Sequence, residues 1–316
     1  MSLPAEFSLI ARHFAPLAAA AGLGLTDDAA VFAPPPGREL VVTADAMVGG
    51  VHFLPDDPAG DIARKLLRVN LSDIAAMGAV PLGYLLTLSA PSGTPEAWFA
   101  TFAAGLAQDQ AEFGVHLFGG DTTSTPGPLS LSVTMFGHVA PGTAWRRGGA
   151  RAGDDLWVTG TIGDGVLGLW ALQGKRPDPD GSLAAQYRLP RPRLGLALHG
   201  IVSAAMDISD GLLQDAGHMA RASGVAMQIE LVRVPLSPAG YAAGPDFVSS
   251  GIAGGDDYEL LLAAPAARAP QLRAAADNVG VTVTKIGRCL GGEPGVICID
   301  GEGNALPAGG GGWSHF

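Results

Sequence analysis

Two successive runs of short apolar strands and longer amphipathic helices, parted by the segment Pro141–Gly153, limit this chain to a two-part mixed fold. The parting segment is glycine-rich, carries Arg146, Arg147 and Arg151, and lies between two strand patterns, as domain boundaries do. In the first run, residues 7–20 read as a helix, and Val31-Phe32 as a short strand after a turn at Asp27-Asp28. Leu40–Ala44 reads as a buried strand that stops at Asp45. Pro58 opens a helix that runs to about Met77 and is stopped by Gly78. Leu82–Ser89 is strand-like, Pro95–Phe113 is helical up to Gly114, Val115–Phe118 is a short strand and Leu129–Val139 a long one. The second run predicts strands at Leu156–Thr159, Ala204–Met206, Val225–Leu231, Asp257–Leu262 and Val281–Ile286. Its helices fall at Gly163–Leu172, after Pro190 or Pro192, at Gly211–Ala222 and at residues 266–278. The expected fold class is α+β, or mixed α/β, in two domains.

At 316 residues the chain can bury two cores, and 47% hydrophobic against 16% charged residues excludes a disordered chain. No apolar run reaches the roughly 18 residues that span a bilayer. Glu6, Arg12 and His13 interrupt the apolar pattern of Met1–Phe14, which therefore reads as a folded helix and not a leader. A cytoplasmic protein with no membrane partner is expected. The net charge of −11 excludes the basic footprint of a nucleic-acid binder. Cys289 and Cys298 form neither a disulfide framework nor a C-x-x-C metal motif.

The acidic excess is 22 Asp against 8 Glu. Aspartate favours caps, turns and cation sites, so position decides its role. Asp45, Asp121 and Asp207 each follow a short apolar strand at once, where side chains meet in clefts. Asp73 continues the helical stripe Ile62, Leu66, Val69, and an unpaired carboxylate on that face costs several kcal/mol. A metal or an arginine would answer it; the alternative is a helix end that reaches solvent, with Asp73 at its rim. Carboxylates without grouped His or Cys select hard ions such as Mg²⁺, Ca²⁺ or Mn²⁺, and Mg²⁺ keeps open positions for phosphate oxygens. The G-x-x-x-x-G-K-[ST] loop and the protein-kinase motif set are absent from the sequence. Gly119-Gly120 is either an ordinary turn or a close approach to phosphate, and Arg146-Arg147 either solvated surface or a phosphate fork. Ser209-Asp210-Gly211 reads as a helix N-cap whose helix end would favour anions.

Taken in order, several motifs resemble the thiamine-monophosphate kinase family of the aminoimidazole-ribonucleotide synthetase superfamily. They are Asp27-Asp28-Ala29-Ala30-Val31, Thr43-Ala44-Asp45, Val51-His52-Phe53, Val69-Asn70-Leu71-Ser72-Asp73, Gly119-Gly120-Asp121-Thr122-Thr123, Asp207-Ile208-Ser209-Asp210-Gly211, Gly254-Gly255-Asp256-Asp257-Tyr258-Glu259 and Gly312-Trp313-Ser314-His315-Phe316. The resemblance implies a PurM-like fold: residues 1–140 as an ATP-, metal-binding and dimer-barrel-forming domain, and residues 141–316 as an α/β sandwich completing the site. It implies ATP-dependent phosphorylation of thiamine monophosphate by a homodimer, with several Mg²⁺ ions. Carried over by position, Asp28, Thr43, Asp45, Asp73, Asp121, Asp207 and Asp210 are the implied metal set. Gly120, Asp121, Arg147 and Ser209 are implied nucleotide contacts; His52, Asp256 and Trp313 are implied substrate contacts; Asp210 and Arg147 are implied to act in catalysis, with no covalent nucleophile. Three positions depart from the family pattern: Thr26 replaces a glycine, Ala44 a hydroxyl residue, and Asp256 a glutamate. The alternatives are another ATP-dependent enzyme of the same superfamily and a non-catalytic module that binds a divalent cation.

Overall fold

The computed structural model describes residues 5–245 and 247–306. The chain divides into two compact units, Met1–Ile74 with Ala79–Gly142, and Ala75–Gly78 with Thr143–Phe316.

The first unit begins with α1 (Ala5–Leu9) and carries β1 (Glu39–Val48), α2 (Ala59–Ala76), β2 (Val80–Pro91), α3 (Glu96–Phe113), β3 (His116–Thr125) and β4 (Ser130–Val139). Its four-stranded sheet has the order β1-β4-β2-β3. β4 runs antiparallel to both neighbours, while β2 and β3 are parallel and joined through α3. The alternation in β4 is complete: Leu131, Val133, Met135, Gly137 and Val139 are buried, and the residues between them are half-exposed. α2 and α3 pack on the buried face with Ile62, Leu66, Ile74, Phe102 and Leu106. Among the described residues of this unit no helix covers the opposite face, and across it the register aligns Leu40, His138 and Val80 in one row.

The helices are tied by a buried ion network. Asp109 of α3 is fully buried and accepts from Arg64 Nε at 2.7 Å and from Arg68 Nε and Nη2 at 2.7 and 3.0 Å. Arg68 also reaches the half-exposed Glu112 at 2.9 Å. Gln110 donates from Nε2 to Tyr84 Oη and to Leu17 O, which pins the N-terminal segment to the same helix.

The second unit carries β5 (Asp154–Thr159), α4 (Asp164–Leu172), α5 (Ser182–Arg188), β6 (Ala204–Ile208), α6 (Leu212–Ser223), β7 (Ala226–Glu230), α7 (Pro238–Ala242), α8 (Phe247–Ala253), β8 (Glu259–Pro265), α9 (Ala269–Asp277), β9 (Val283–Leu290), β10 (Gly295–Ile299) and β11 (Ala305–Leu306). The seven strands lie in the order β11-β10-β7-β9-β5-β8-β6. β5 and β6 are buried throughout, and β8 up to Pro265, so they present apolar side chains to both faces. One face packs Leu156, Val158, Met206 and Leu261 with Leu212, Ala216 and Met219 of α6. The other packs Trp157, Leu260 and Leu262 with Leu272 and Ala276 of α9. Cys289 and Cys298 are free and buried on β9 and β10, with β7 between those strands.

Several expectations need correction. β1 does not stop at Asp45 but pairs with β4 through Val48, and Asp121 and Asp207 also lie inside their strands. In each case a neighbouring strand supplies partners beyond the point where the apolar run ends. Residues 7–20 are not one helix: α1 passes into a π turn at Ile10–Phe14 and a 3₁₀ turn at Ala15–Leu17, because Pro16 lacks the donor a continuing helix needs. Val31-Phe32 forms no strand; Phe32 packs on Phe118 and Phe136, with ring centroids 4.8 and 5.7 Å away, just ahead of three prolines that offer no ladder donors. Neither Pro190 nor Pro192 opens a helix. Arg193 is anchored in the loop by Glu259.

The Asp109 network yields a stability prediction. Asp109→Asn, which leaves the buried Arg68 guanidinium short of countercharge, costs about 3 kcal/mol in urea unfolding, whereas Glu112→Gln at the solvent end costs less than about 1 kcal/mol.

Candidate active site

In the first unit three of the expected residues come together on the helix-covered face. Strand alternation points Val41, Thr43, Asp45 and Met47 toward α2. Thr43 Oγ1 donates to Asp73 Oδ2 at 2.5 Å, so the carboxylate on the apolar stripe of α2 is answered by a hydroxyl. Asp45 sits on an edge strand, and its N–H is taken by Asn70 Oδ1 at 3.1 Å. Asn70 is fully buried and returns its own Nδ2–H to Leu66 O, one turn back.

The remaining first-unit residues are placed elsewhere. Asp121 pairs laterally with Thr87, which pairs with Ser132 and through it with Ala46, so Asp121 belongs to the uncovered face. It is exposed there, and it lies on β3, the other edge strand. Ala44 shares that uncovered face with Thr134. A hydroxyl at position 44 would therefore point away from Asp73. Asp28 is exposed in an irregular segment. Gly120 is glycine for a local reason: a Cβ there would collide with the Leu86 carbonyl of β2. His52 is half-buried in the turn after β1; its Nδ1 accepts from Val48 N–H at 3.0 Å, which leaves the proton of the neutral ring on Nε2. Its carbonyl accepts from Lys65 Nζ at 3.1 Å, and Lys65 is itself 2% exposed.

In the second unit two motifs are locked side by side. The exit of β6, Ile208-Ser209-Asp210-Gly211, runs against Gly254–Tyr258 at the entry of β8. Asp256 N–H donates to Ser209 O at 2.9 Å and Tyr258 N–H to Ile208 O at 2.8 Å. A Cβ on Gly255 would overlap Ser209 O, so glycine permits the approach. Asp256 and Tyr258 take positive φ values of 67° and 52°, a conformation that non-glycine residues avoid. Between them Asp257 accepts from Gly163 N–H at 2.8 Å and Gly165 N–H at 3.1 Å at the start of α4. Burial pushes its carboxyl well above the ordinary range, against the pull of those two amides. Glu259, next in line, accepts from Thr159 Oγ1 at 2.5 Å and from Arg193 Nε at 2.6 Å.

Below the Ser209-Asp210 pair lies Asp215, in the first turn of α6 and 3% exposed. Its Oδ2 accepts from both Ser209 N–H and Asp210 N–H at 3.1 Å. Burial and the Asp210 charge raise this carboxyl to about 7, opposed by the two amides and the Arg147 guanidinium. Gln214 Nε2 donates to Asp210 Oδ2 at 3.1 Å. Arg147 is exposed, and its backbone is stitched to α6: Ser223 Oγ donates to Arg147 O and accepts from Gly149 and Ala150 N–H, each at 3.2 Å. Arg147, Ser209, Asp210 and Asp256 thus share one region, while Asp207 is buried in β6 opposite Leu260. Trp313 lies outside the described residues.

Both units match known family models: residues 26–139 the AIR synthase related protein, N-terminal domain, and residues 151–299 its C-terminal domain. A thiamine-monophosphate kinase from Caulobacter vibrioides is 47% identical over 300 residues, covering 92% of this chain and 85% of that protein. The crystal structure of thiamine-monophosphate kinase from Stenotrophomonas maltophilia K279a is similar with 41% identity and a TM-score of 0.81, over 89% of this chain and 91% of that one. A structure of AaThiL complexed with AMPPCP and TMP is similar with 30% identity and a TM-score of 0.79, over 92% and 91%. The chain belongs to the thiamine-monophosphate kinase family.

Within this family fold, the residues that hold the site residues in place are the ones sequence reasoning missed. Asn70 and Lys65 are polar side chains inside an amphipathic helix, and their burial is the signal. Asp215 follows Ser209-Asp210 by less than two helical turns, within capping reach of their amides.

The close approach of the two second-unit motifs is testable through its glycine. Gly255→Ala forces Ser209 and Asp256 apart and costs at least about 2 kcal/mol in urea unfolding. Gly295→Ala on β10, where a Cβ meets nothing within 4 Å, changes stability by less than about 0.5 kcal/mol.

Proposed function

We propose that this chain transfers the γ-phosphoryl group of ATP to thiamine monophosphate, giving thiamine diphosphate and ADP. The carrying observation is the 47% identity over 300 residues to a thiamine-monophosphate kinase, in a chain whose two units both match AIR synthase related domains. A terminal phosphate oxygen of thiamine monophosphate attacks the γ-phosphorus in line. A new O–P bond forms, the bond from γ-phosphorus to the bridging oxygen breaks, and the electron pair leaves with ADP. A phosphate monoester has its second pKa near ~6, so the attacking oxygen is already ionised at neutral pH and needs no strong general base. No residue is phosphorylated on the way.

Two anions must meet, and an acidic chain requires cations for that. The oxygen-only donor set of Asp28, Thr43, Asp45, Asp73, Asp121, Asp207 and Asp210 fits Mg²⁺ by chemistry, and these residues would hold it. Among the described residues no three His, Cys, Asp or Glu side chains are grouped closely enough to hold an ion by themselves. Phosphate oxygens and water then complete the coordination, as Mg²⁺ ordinarily requires. When bound, the ions supply neutralisation of charge on the transferring group. Arg147, an exposed fork, clamps phosphate, with Gly120 and Ser209 beside the nucleotide. His52, Asp256 and Trp313 hold the thiamine monophosphate.

The acting species is a cytoplasmic homodimer. Asp45 and Asp121 sit on the two edge strands of one sheet, on opposite faces, with β4 and β2 between them. Three strand spacings separate them by roughly 14 Å, too far for one ion. Bringing such edges together calls for closing two sheets into a barrel. The exposed apolar residues Leu40, Val42 and Val80 on the uncovered face suit burial by a second copy. No helix among the described residues is long and apolar enough to cross a membrane.

ADP release with Mg²⁺ tests the reaction. Turnover is expected with thiamine monophosphate and not with thiamine or formylglycinamidine ribonucleotide; release with the ribonucleotide instead would assign the chain to another branch of the superfamily. Asp45→Asn is expected to lower kcat by about 100-fold, with thermal unfolding little changed. For the dimer, light scattering should give twice the chain mass, and Val42→Asp should give the single-chain mass together with loss of turnover.

A further inference from the structure

We infer that Asp215 is a positioning residue for the nucleotide side of the site: one buried carboxylate oxygen, by accepting both the Ser209 and Asp210 amides, sets the conformation in which that pair faces ATP. The inference rests on the kinase reading above and goes beyond its residues.

The geometry is specific. Ser209 and Asp210 leave β6 at its last pairing and enter α6 through Gly211, whose φ is 116°. Amides in such an exit have no ladder partner. Asp215 supplies both with an acceptor at equal distances of 3.1 Å from a single oxygen. The side chain is buried in the first turn of α6, where Leu212, Ala216 and Met219 anchor the helix in the core. A rigid element therefore fixes the acceptor, and the acceptor fixes the two amides. The same oxygen sits close enough to Asp210 and Arg147 to feel both charges. On the far side, Gln214 donates to the Asp210 carboxylate and orients it. Asp215 itself touches no reacting atom in this arrangement; it acts through Ser209 and Asp210.

What matters on this account is an oxygen acceptor at that point, not its charge. Asn keeps one side-chain oxygen in nearly the same place, whereas Ala keeps none. The test is calorimetric titration of wild type, Asp215→Asn and Asp215→Ala with ATP in the presence of Mg²⁺, and separately with thiamine monophosphate. Asp215→Ala is expected to weaken ATP binding by about 30-fold while leaving the affinity for thiamine monophosphate within about twofold. Asp215→Asn is expected to stay within about threefold of wild type for both. Thermal unfolding of each variant accompanies the titrations. Equal losses for both ligands in Asp215→Ala would mark a general structural role and overturn the inference. So would a loss in Asp215→Asn as large as that in Asp215→Ala, and so would unchanged ATP binding in Asp215→Ala. The kinase reading is judged separately, on ADP release by wild type with thiamine monophosphate.

Discussion

Two backbone hydrogen bonds, Asp256 N–H to Ser209 O and Tyr258 N–H to Ile208 O, hold the chemistry of the second unit together. They join the exit of β6 to the entry of β8, and the price is paid in backbone conformation. Asp256 and Tyr258 both sit in the left-handed region, at roughly 1 kcal/mol or more each for residues with a Cβ. The surrounding contacts over-determine that shape. Asp257 is fixed by two amides of the α4 start, Glu259 by Thr159 and Arg193, and Gly255 leaves room for a carbonyl where a side chain would collide. Strain of this kind persists where its geometry is used, and here it brings Asp256 beside Ser209 and Asp210.

Buried carboxylates are answered in two ways in this chain. In the first unit, Asp109 is matched by two arginines, and the pairing ties α2 to α3. In the second unit, Glu259 is matched by Arg193, while Asp215 and Asp257 are each given two backbone amides. Amides satisfy a carboxylate's hydrogen-bonding needs without cancelling its charge. Where burial outweighs those amides, the carboxyl is pushed toward its neutral form, as at Asp257 and Asp215.

Much of the fold was legible from periodicity. α2, α3 and β4 fall within a residue or two of their expected bounds, because each has a long stripe and a clear stop. The site was legible as a set of motifs but not as a geometry. Local pattern ends a strand at the last apolar residue, so Asp45, Asp121 and Asp207 looked like strand-end residues; the ladder carries on through them because neighbouring strands offer partners. Asp73 looked like a carboxylate awaiting a metal or an arginine, and the structure adds a hydrogen bond from the Thr43 hydroxyl, 30 residues away in sequence. Asn70, Lys65 and Asp215 went unread for a related reason. Their role is to hold backbone in place, which depends on what the fold brings near them.

Strand alternation also changes how the departure at position 44 is understood. Thr43 and Asp45 point to the covered face and Ala44 to the open one, so the run Thr43-Ala44-Asp45 serves two surfaces. The missing hydroxyl is lost from the surface that Asp121 occupies, and the cluster of Thr43, Asp45 and Asp73 keeps its own donors. Any ion bound around Asp73 is thereby insulated from the substitution. Position 44 and Asp121 share that open face but stand on opposite edge strands, so within one sheet the lost hydroxyl is no neighbour of Asp121.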